Sequence, residues 1–303
     1  MTLCGRVGEG SQLEDPKISG VELNTFDSRH PTVSAPAIGR PTSLEPGAID
    51  TGRVQTSTET NNSPKVTMSD HRTQPDLSSH FWWHSIRLDD GRITPGVKSI
   101  EAMDKQFQEA FSDIDLKGMS VLDVGAWNGG FSIEAKRRGA TRVVALDHHT
   151  WNHPQRRGRA TFDLATRLCN TQIEAVDLNL DAPQVSLAHL GTFDVVLFLG
   201  VFYHLVNPIA ALREVAALAG KVLVIETYLE ETADSRPAMV FYPGAELAND
   251  ASNWWGPNRA CMEALLRLNK FTTINFTATD TRPSSIHPSQ SRVWRCVIHA
   301  FRG

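Results

Sequence analysis

Met119-Ser-Val-Leu-Asp123-Val-Gly125-Ala-Trp127-Asn128-Gly129-Gly130-Phe131, followed shortly by Arg142-Val-Val-Ala-Leu-Asp147, is the stretch whose reading decides the fold. The apolar run from Val121 to Val124 has the length and character of a strand buried on both faces of a parallel sheet. Glycines follow where the chain must turn sharply out of that strand and admit a ligand to its backbone. Phe131 to Arg138 reads as a helix, closed by Gly139 at a position that favours left-handed backbone. A second apolar run ends at Asp147. The unit is strand–turn–helix–strand, the half-unit from which doubly wound α/β domains bind nucleosides.

Glycine spacing decides which nucleoside compound fits. Dinucleotide folds use G-x-G-x-x-G, whose second glycine lets a pyrophosphate lie against the backbone. Counted from Gly125, that position is Trp127, too bulky for such an approach. S-adenosylmethionine (SAM) carries no phosphate and makes no such demand. Its ammonium and carboxylate call for an acidic side chain and backbone groups at a strand end, which Asp123, Gly125 and Gly129 supply. Asp147, ending the second strand, is placed for both ribose hydroxyls.

Further along, Thr161 to Asn170 predicts a helix and Thr171 to Asn179 a strand, with Asp177 placed to accept the adenine amino group. The polar loop His148-His149-Thr150-Trp151-Asn152-His153 sits above the adenosine, with His148 nearest. Its histidine spacing matches no metal-ligand pattern, so no metal is expected. Arg156, Arg157 and Arg159 form a short basic run that reads as a helix start, leaving an RNA contact open. Phe193 to Gly200 is the most apolar strand and belongs at the sheet centre. It leads into Tyr203 and His204, which lie beyond a strand's carboxyl end, where α/β sheets place ligands and chemistry. Asn207-Pro208 opens another helix with proline at its first position. Lys221 to Thr227 predicts a fifth strand. A loop bearing Trp254, Trp255 and Asn258 precedes a helix over 258–268. Strands at 271–277 and 292–301 close the sheet as a hairpin-like pair.

The chain has 303 residues, net charge −4, and four cysteines in no metal or disulfide pattern. These features suggest a reducing cytoplasm and no structural zinc. The N-terminus lacks the apolar core of a secretory signal, and the longest apolar run, 193–202, is half a membrane span. Of 23 aromatic residues only Phe26 precedes residue 77, so 1–76 reads as a disordered tail. Aromatic burial begins at Phe81-Trp82-Trp83-His84. With the amphipathic segment 98–111, this flank (77–118) reads as a lid on the catalytic domain (119–303), with Trp83 or His84 facing the ligand.

Val121-Leu-Asp-Val-Gly125, Gly200-Val-Phe-Tyr203-His204, Asn207-Pro208, Leu223-Val-Ile-Glu226-Thr227 and the aromatic–Pro257 loop together resemble class I SAM-dependent methyltransferases. Within these, they resemble the branch containing the tRNA wobble-uridine carboxymethyltransferase. The resemblance covers about residues 80–303. It implies a Rossmann-like seven-stranded sheet, six strands parallel and one antiparallel, and SAM as cofactor. It also implies that Tyr203 and Arg295 match positions that hold the extra carboxylate of carboxy-SAM. The lysine that branch carries ahead of its core has no counterpart at 81–84, and an unpaired buried carboxylate is costly, which argues for ordinary SAM. The expectation is methyl transfer to an oxygen or nitrogen of a small molecule, with His204 and Tyr203 catalytic and Trp83, His84, Trp255, Asn258 and Arg295 facing the acceptor. The alternatives are carboxymethyl transfer to tRNA and a non-catalytic binding protein.

Overall fold

The structure is a computed structural model and describes residues 75–231, 235–283 and 292–303. The tail read from sequence lies almost wholly outside the described residues. In chain order the elements are α1 (Ile100–Ala110), β1 (Ser120–Val124), α2 (Gly130–Arg137), β2 (Arg142–Asp147), α3 (Gly158–Leu168), β3 (Glu174–Asp177), β4 (Phe193–Leu199), α4 (Pro208–Leu218), β5 (Ala219–Glu231), β6 (Met239–Phe241), β7 (Trp255–Pro257), α5 (Arg259–Leu268), β8 (Thr273–Pro283) and β9 (Arg292–Phe301). Seven of the strands form one sheet in the order β3-β2-β1-β4-β5-β9-β8. Only β9 runs against the others, pairing antiparallel with both β5 and β8. This is the Rossmann-like methyltransferase sheet, with β4 at its centre.

Period-two alternation along the strands builds two cores. Val121, Val143, Val195, Leu197, Val222 and Val224 pack with Met103 and Phe107 of α1 and Phe131 and Ala135 of α2. The intervening residues, Leu122, Val144, Val196, Phe198, Leu223 and Ile225, meet Leu212 and Val215 of α4 and Met262 and Leu266 of α5. Each such side chain contributes roughly 1.5–3 kcal/mol by leaving water. This burial on both faces explains why the strands read as continuous apolar runs.

Helix starts follow their capping residues. Ser99, Asn207 and Asn258 each accept a backbone N–H from the first turn of α1, α4 and α5. β8 runs on to Pro283, beyond the expected end at 277, and β3 is confined to Glu174–Asp177. Two further differences bear on the site. β5 runs on past Thr227 to Glu231, because β9 supplies an antiparallel partner for every residue from Val222 onward. β6 and β7 form a separate two-stranded sheet between β5 and α5, closing the 242–254 loop at its base.

Register between β1 and β4 is fixed at their amino ends. The Asp194 carboxylate accepts from the Ser120 amide and hydroxyl, both at 2.8 Å, and pairs with Lys221 at 2.9 Å. That register sets Asp123 opposite Leu197, and Leu199 opposite Glu226 one strand further on. The Ser120 amide bond and the Lys221 ammonium hold the Asp194 carboxyl at about 2. Its stabilisation is therefore complete above the unfolded value near 4 and lost as pH falls through about 2. We expect Asp194→Asn to lose roughly 1–2 kcal/mol at pH 7 and to flatten the pH dependence of urea unfolding between about pH 4 and pH 2.

Candidate active site at the carboxyl ends of the strands

The glycine turn after β1 is held from β2. Asp147 is buried; one carboxylate oxygen accepts the Trp127 amide and the other the Thr150 amide, both at 3.0 Å. Gly125 has φ +82°, and a Cβ there would lie 2.3 Å from Val201 Cγ2, so the turn tolerates no side chain. Trp127 adopts φ +50°, a left-handed conformation unusual for a bulky residue. The Trp151 indole N–H fixes it further by donating to its carbonyl at 2.7 Å. Its ring stacks on Trp83, with centroids 5.2 Å apart and planes 18° from parallel, and the Arg156 guanidinium lies 5.3 Å from its centroid. The indole thus stands where the dinucleotide pattern needs a glycine, packed between Trp83 and Arg156.

Asn128 joins this turn to the N-terminal flank. Its side-chain oxygen accepts the Trp83 amide at 2.7 Å and the His84 amide at 3.3 Å, and its nitrogen donates to the Thr161 hydroxyl. Asp123, at the end of β1, is buried and accepts from the Ser132 hydroxyl at 2.6 Å. Burial pushes its carboxyl up to about 6 against that hydrogen bond. Asp177, at the end of β3, takes His148 Nδ1 at 2.6 Å and the Asn152 amide on both oxygens. Burial raises the Asp177 carboxyl, but the Asn152 and His148 hydrogen bonds outweigh it and keep the group below its ordinary range.

Charged groups meet beside Gly200, at the end of β4. Gly200 has φ +70°, and a Cβ there would meet a Glu226 carboxylate oxygen and the Tyr203 hydroxyl at 3.3 Å each. Arg295 on β9 pairs with Glu226 on β5 and donates to the Tyr203 hydroxyl at 3.3 Å. Burial pushes the Tyr203 phenol up, so it stays neutral. Lys98, just ahead of α1, completes the cluster. Its ammonium bonds Gln106 at 3.0 Å and lies 5.8 Å from the Trp83 ring centroid. Desolvation and the Arg295 charge pull it down to about 8 against the attraction of Glu226.

His204 follows Tyr203, and the two rings contact at 4.4 Å. Its Nδ1 lies 2.8 Å from the Ser252 carbonyl and 3.1 Å from the Ser252 hydroxyl. Burial lowers the imidazole below its usual value, while the Ser252 carbonyl and Asp250 pull it back up.

The remaining residues singled out from sequence fall in different surroundings. Trp83 is half-buried on the turn, whereas His84 is buried against Gly130, its Nδ1 without a partner among the described residues. Trp255 is half-buried; it contacts the exposed Phe241 ring at 5.1 Å and anchors to the Leu205 carbonyl at 2.8 Å. Asn258 uses its side chain locally, capping α5 and bonding Ala238 and Arg236. Lys98, Glu226, Asn128, Asp250 and Ser252 were not named for the site from sequence. Only Glu226, a carboxylate ending an apolar run, carried a signal that could have found it.

An α/β sheet covered by helices on both faces, with carboxylates at the ends of β1 and β2 around a strained glycine turn, defines a nucleoside-binding enzyme of the Rossmann-like class. The methyltransferase domain family matches residues 98–272, and the chain belongs to that family. The acidic strand ends and the glycine turn just described are the surroundings that a nucleoside-type methyl donor needs. The tRNA U34 carboxymethyltransferase of Pseudomonas putida (strain W619) is 29% identical over 193 residues, covering 60% of this chain and 54% of that protein. The enzyme of the same name from Colwellia psychrerythraea is 29% identical over 176 residues, 55% of this chain and 48% of that one. The chain thus spans about half the length of the curated relatives it matches. Among solved structures, the N-terminal domain of EvdMO1 with SAH and D-fucose has a TM-score of 0.48 at 21% identity, covering 73% of this chain and 91% of that one.

Asp147→Ala removes the acceptor for two turn amides at once. We expect affinity for S-adenosylhomocysteine, read by titration calorimetry, to fall more than tenfold, about 1.4 kcal/mol or beyond.

Proposed function

We propose that the chain transfers a methyl group from SAM to an oxygen or nitrogen of a small-molecule acceptor, with His204 as the base. The observation that carries this reading is the pose of His204. It stands next to Tyr203 at the end of the central strand, with Nδ1 engaged by Ser252 and no partner on Nε2 among the described residues. Asp123 and the Gly125–Gly129 turn would hold the methionyl end, Asp147 the ribose, and His148 with Asp177 the adenine side. When bound, SAM supplies an electrophilic methyl on a sulfonium that leaves as a neutral thioether, so the protein has chiefly to align the acceptor and exclude water.

Tyr203 and Tyr228 present aromatic faces next to the Glu226–Arg295 pair, suited to a cationic sulfur. A base within reach of the acceptor removes its proton as the new bond forms, and the depressed His204 keeps that nitrogen free at neutral pH. Trp83, Trp255 and Phe241 give the mouth an aromatic lining in keeping with a compact acceptor. The 77–118 flank, joined to the turn through Asn128, acts as its lid.

A second reading is carboxymethyl transfer to a tRNA uridine, the activity named for the relatives above. Lys98 favours it, because it places a second cation beside Arg295 where the sequence offered no counterpart. Plain methyl transfer is the better fit, since Arg295 is already neutralised by Glu226.

Two measurements test the reading. Mass spectrometry of the purified protein should find SAM or its demethylated product, and a donor heavier by one carboxylate would overturn methyl transfer. His204→Ala should leave the affinity for SAM within twofold while lowering turnover of the identified acceptor by roughly 10²–10⁴. Unchanged turnover would remove the base.

A further inference from the structure

We propose that Asp250 and Ser252 are positioning residues that hold His204 in the tautomer protonated on Nδ1, so that the lone pair lies on Nε2. This rests on the reading of His204 as the base and goes beyond it to the residues that set its protonation.

Hydrogen-bond inventory leads to this assignment. The Ser252 hydroxyl donates its proton to an Asp250 carboxylate oxygen at 2.7 Å, and the Ser252 amide donates to the same oxygen at 2.9 Å. An ionised carboxylate only accepts, so the hydroxyl proton is committed to it. Both Ser252 oxygens near the imidazole, the carbonyl at 2.8 Å and the hydroxyl at 3.1 Å, therefore offer Nδ1 nothing but lone pairs. A deprotonated Nδ1 would face two acceptors; a protonated one bonds to them. The hydrogen bond made by one ring nitrogen thus fixes the state of the other.

The loop is built to keep this geometry. The Trp254 amide donates to the Tyr203 carbonyl at 2.8 Å, tying it to the segment that carries His204. The Asn253 amide closes on the Asp250 carbonyl at 3.0 Å, and its side chain bonds the Leu247 carbonyl at 2.8 Å. β6 and β7 clamp the base of the same loop.

Charge reinforces the hydrogen bonds. Asp250 favours the imidazolium, whereas Arg295 and His149 oppose it, and Arg156 lies within electrostatic reach of Asp250. Burial raises the Asp250 carboxyl, but the Ser252 hydrogen bonds outweigh it and keep the group ionised near neutral pH. When the acceptor's O–H or N–H bond breaks, its proton arrives on Nε2. The second N–H of the resulting imidazolium remains on the Ser252 carbonyl, and Asp250 offsets the new positive charge.

Long-range proton–nitrogen NMR on the full chain labelled with ¹⁵N-histidine reads this without an acceptor. The His204 signal is picked from the 11 histidines by its loss in His204→Gln. At pH 8 the wild type should show the Nδ1-protonated pattern. Asp250→Asn should lower the His204 midpoint by roughly half a pH unit, and Asp250→Glu should restore it. Ser252→Ala retains the main-chain acceptor and should retain the tautomer. An Nε2-protonated wild type, or an unmoved midpoint in a folded Asp250→Asn protein, overturns the proposal. Should Asp250→Asn fail to fold, the wild-type tautomer and Ser252→Ala still decide it. If His204 has the stated tautomer while His204→Ala turns over normally, the base reading fails and this assignment stands.

Discussion

Two backbone amides meeting one buried carboxylate hold the cofactor side of this protein together. In the turn after β1 the chain is neither helix nor strand, so the Trp127 amide has no ladder partner and would be costly to bury alone. Asp147 supplies that partner and takes the Thr150 amide with its other oxygen. Charge-assisted bonds of this kind are stronger than neutral ones, which helps a bulky residue persist in the left-handed region. Once Trp127 is fixed, its indole becomes the surface on which Trp83 stacks, and Asn128 catches the backbone of the same flank. The residue that departs from the dinucleotide pattern thereby becomes the seat of the N-terminal flank.

The side bearing Tyr203 and His204 is organised by a different constraint, the length of β5. Pairing with β9 carries β5 beyond the edge of the parallel strands and brings Arg295 opposite Tyr228, next to Glu226. β6–β7 then returns the chain over the end of β4, so Ser252 meets His204 although 48 residues separate them. The glycine-turn side thus depends on local turn geometry and the His204 side on long-range pairing. At Gly200 the missing side chain makes way for the Glu226 carboxylate and the Tyr203 hydroxyl.

This division explains what the sequence disclosed. β1, β2 and β4, buried on both faces, matched their apolar runs within a residue, and β9 was read end to end. The β1 turn, Asp147 and the β4 end were legible because strand termini and glycines mark them locally. β6 and β7, three residues each with ordinary composition, gave no periodic signal. Asp250 and Ser252 looked like any polar loop, because only the fold sets them against His204. Lys98 was read merely as a helix start, since its relation to Glu226 and Arg295 arises from packing the flank on the sheet. Asn258 was singled out beside two tryptophans, yet its amide also suits a cap, the use the fold makes of it.

Charge balance at the floor connects these parts to the choice of donor. A sulfonium brought towards Arg295 and Lys98 alone would be repelled at short range. Glu226 offsets the arginine, and the Lys98 ammonium is held on the Gln106 side-chain oxygen. A cationic donor, as proposed above, would need no rearrangement of this cluster. A donor bearing an additional carboxylate would have either to draw Arg295 from Glu226 or to recruit Lys98. Separating a buried pair without full replacement costs about 3–5 kcal/mol. The carboxylated donor becomes favourable only if its own charge replaces that of Glu226 at Arg295 while Lys98 takes up the glutamate. In this fold the Glu226 carboxylate rests on Arg295, so a carboxylated donor would require that pair to part.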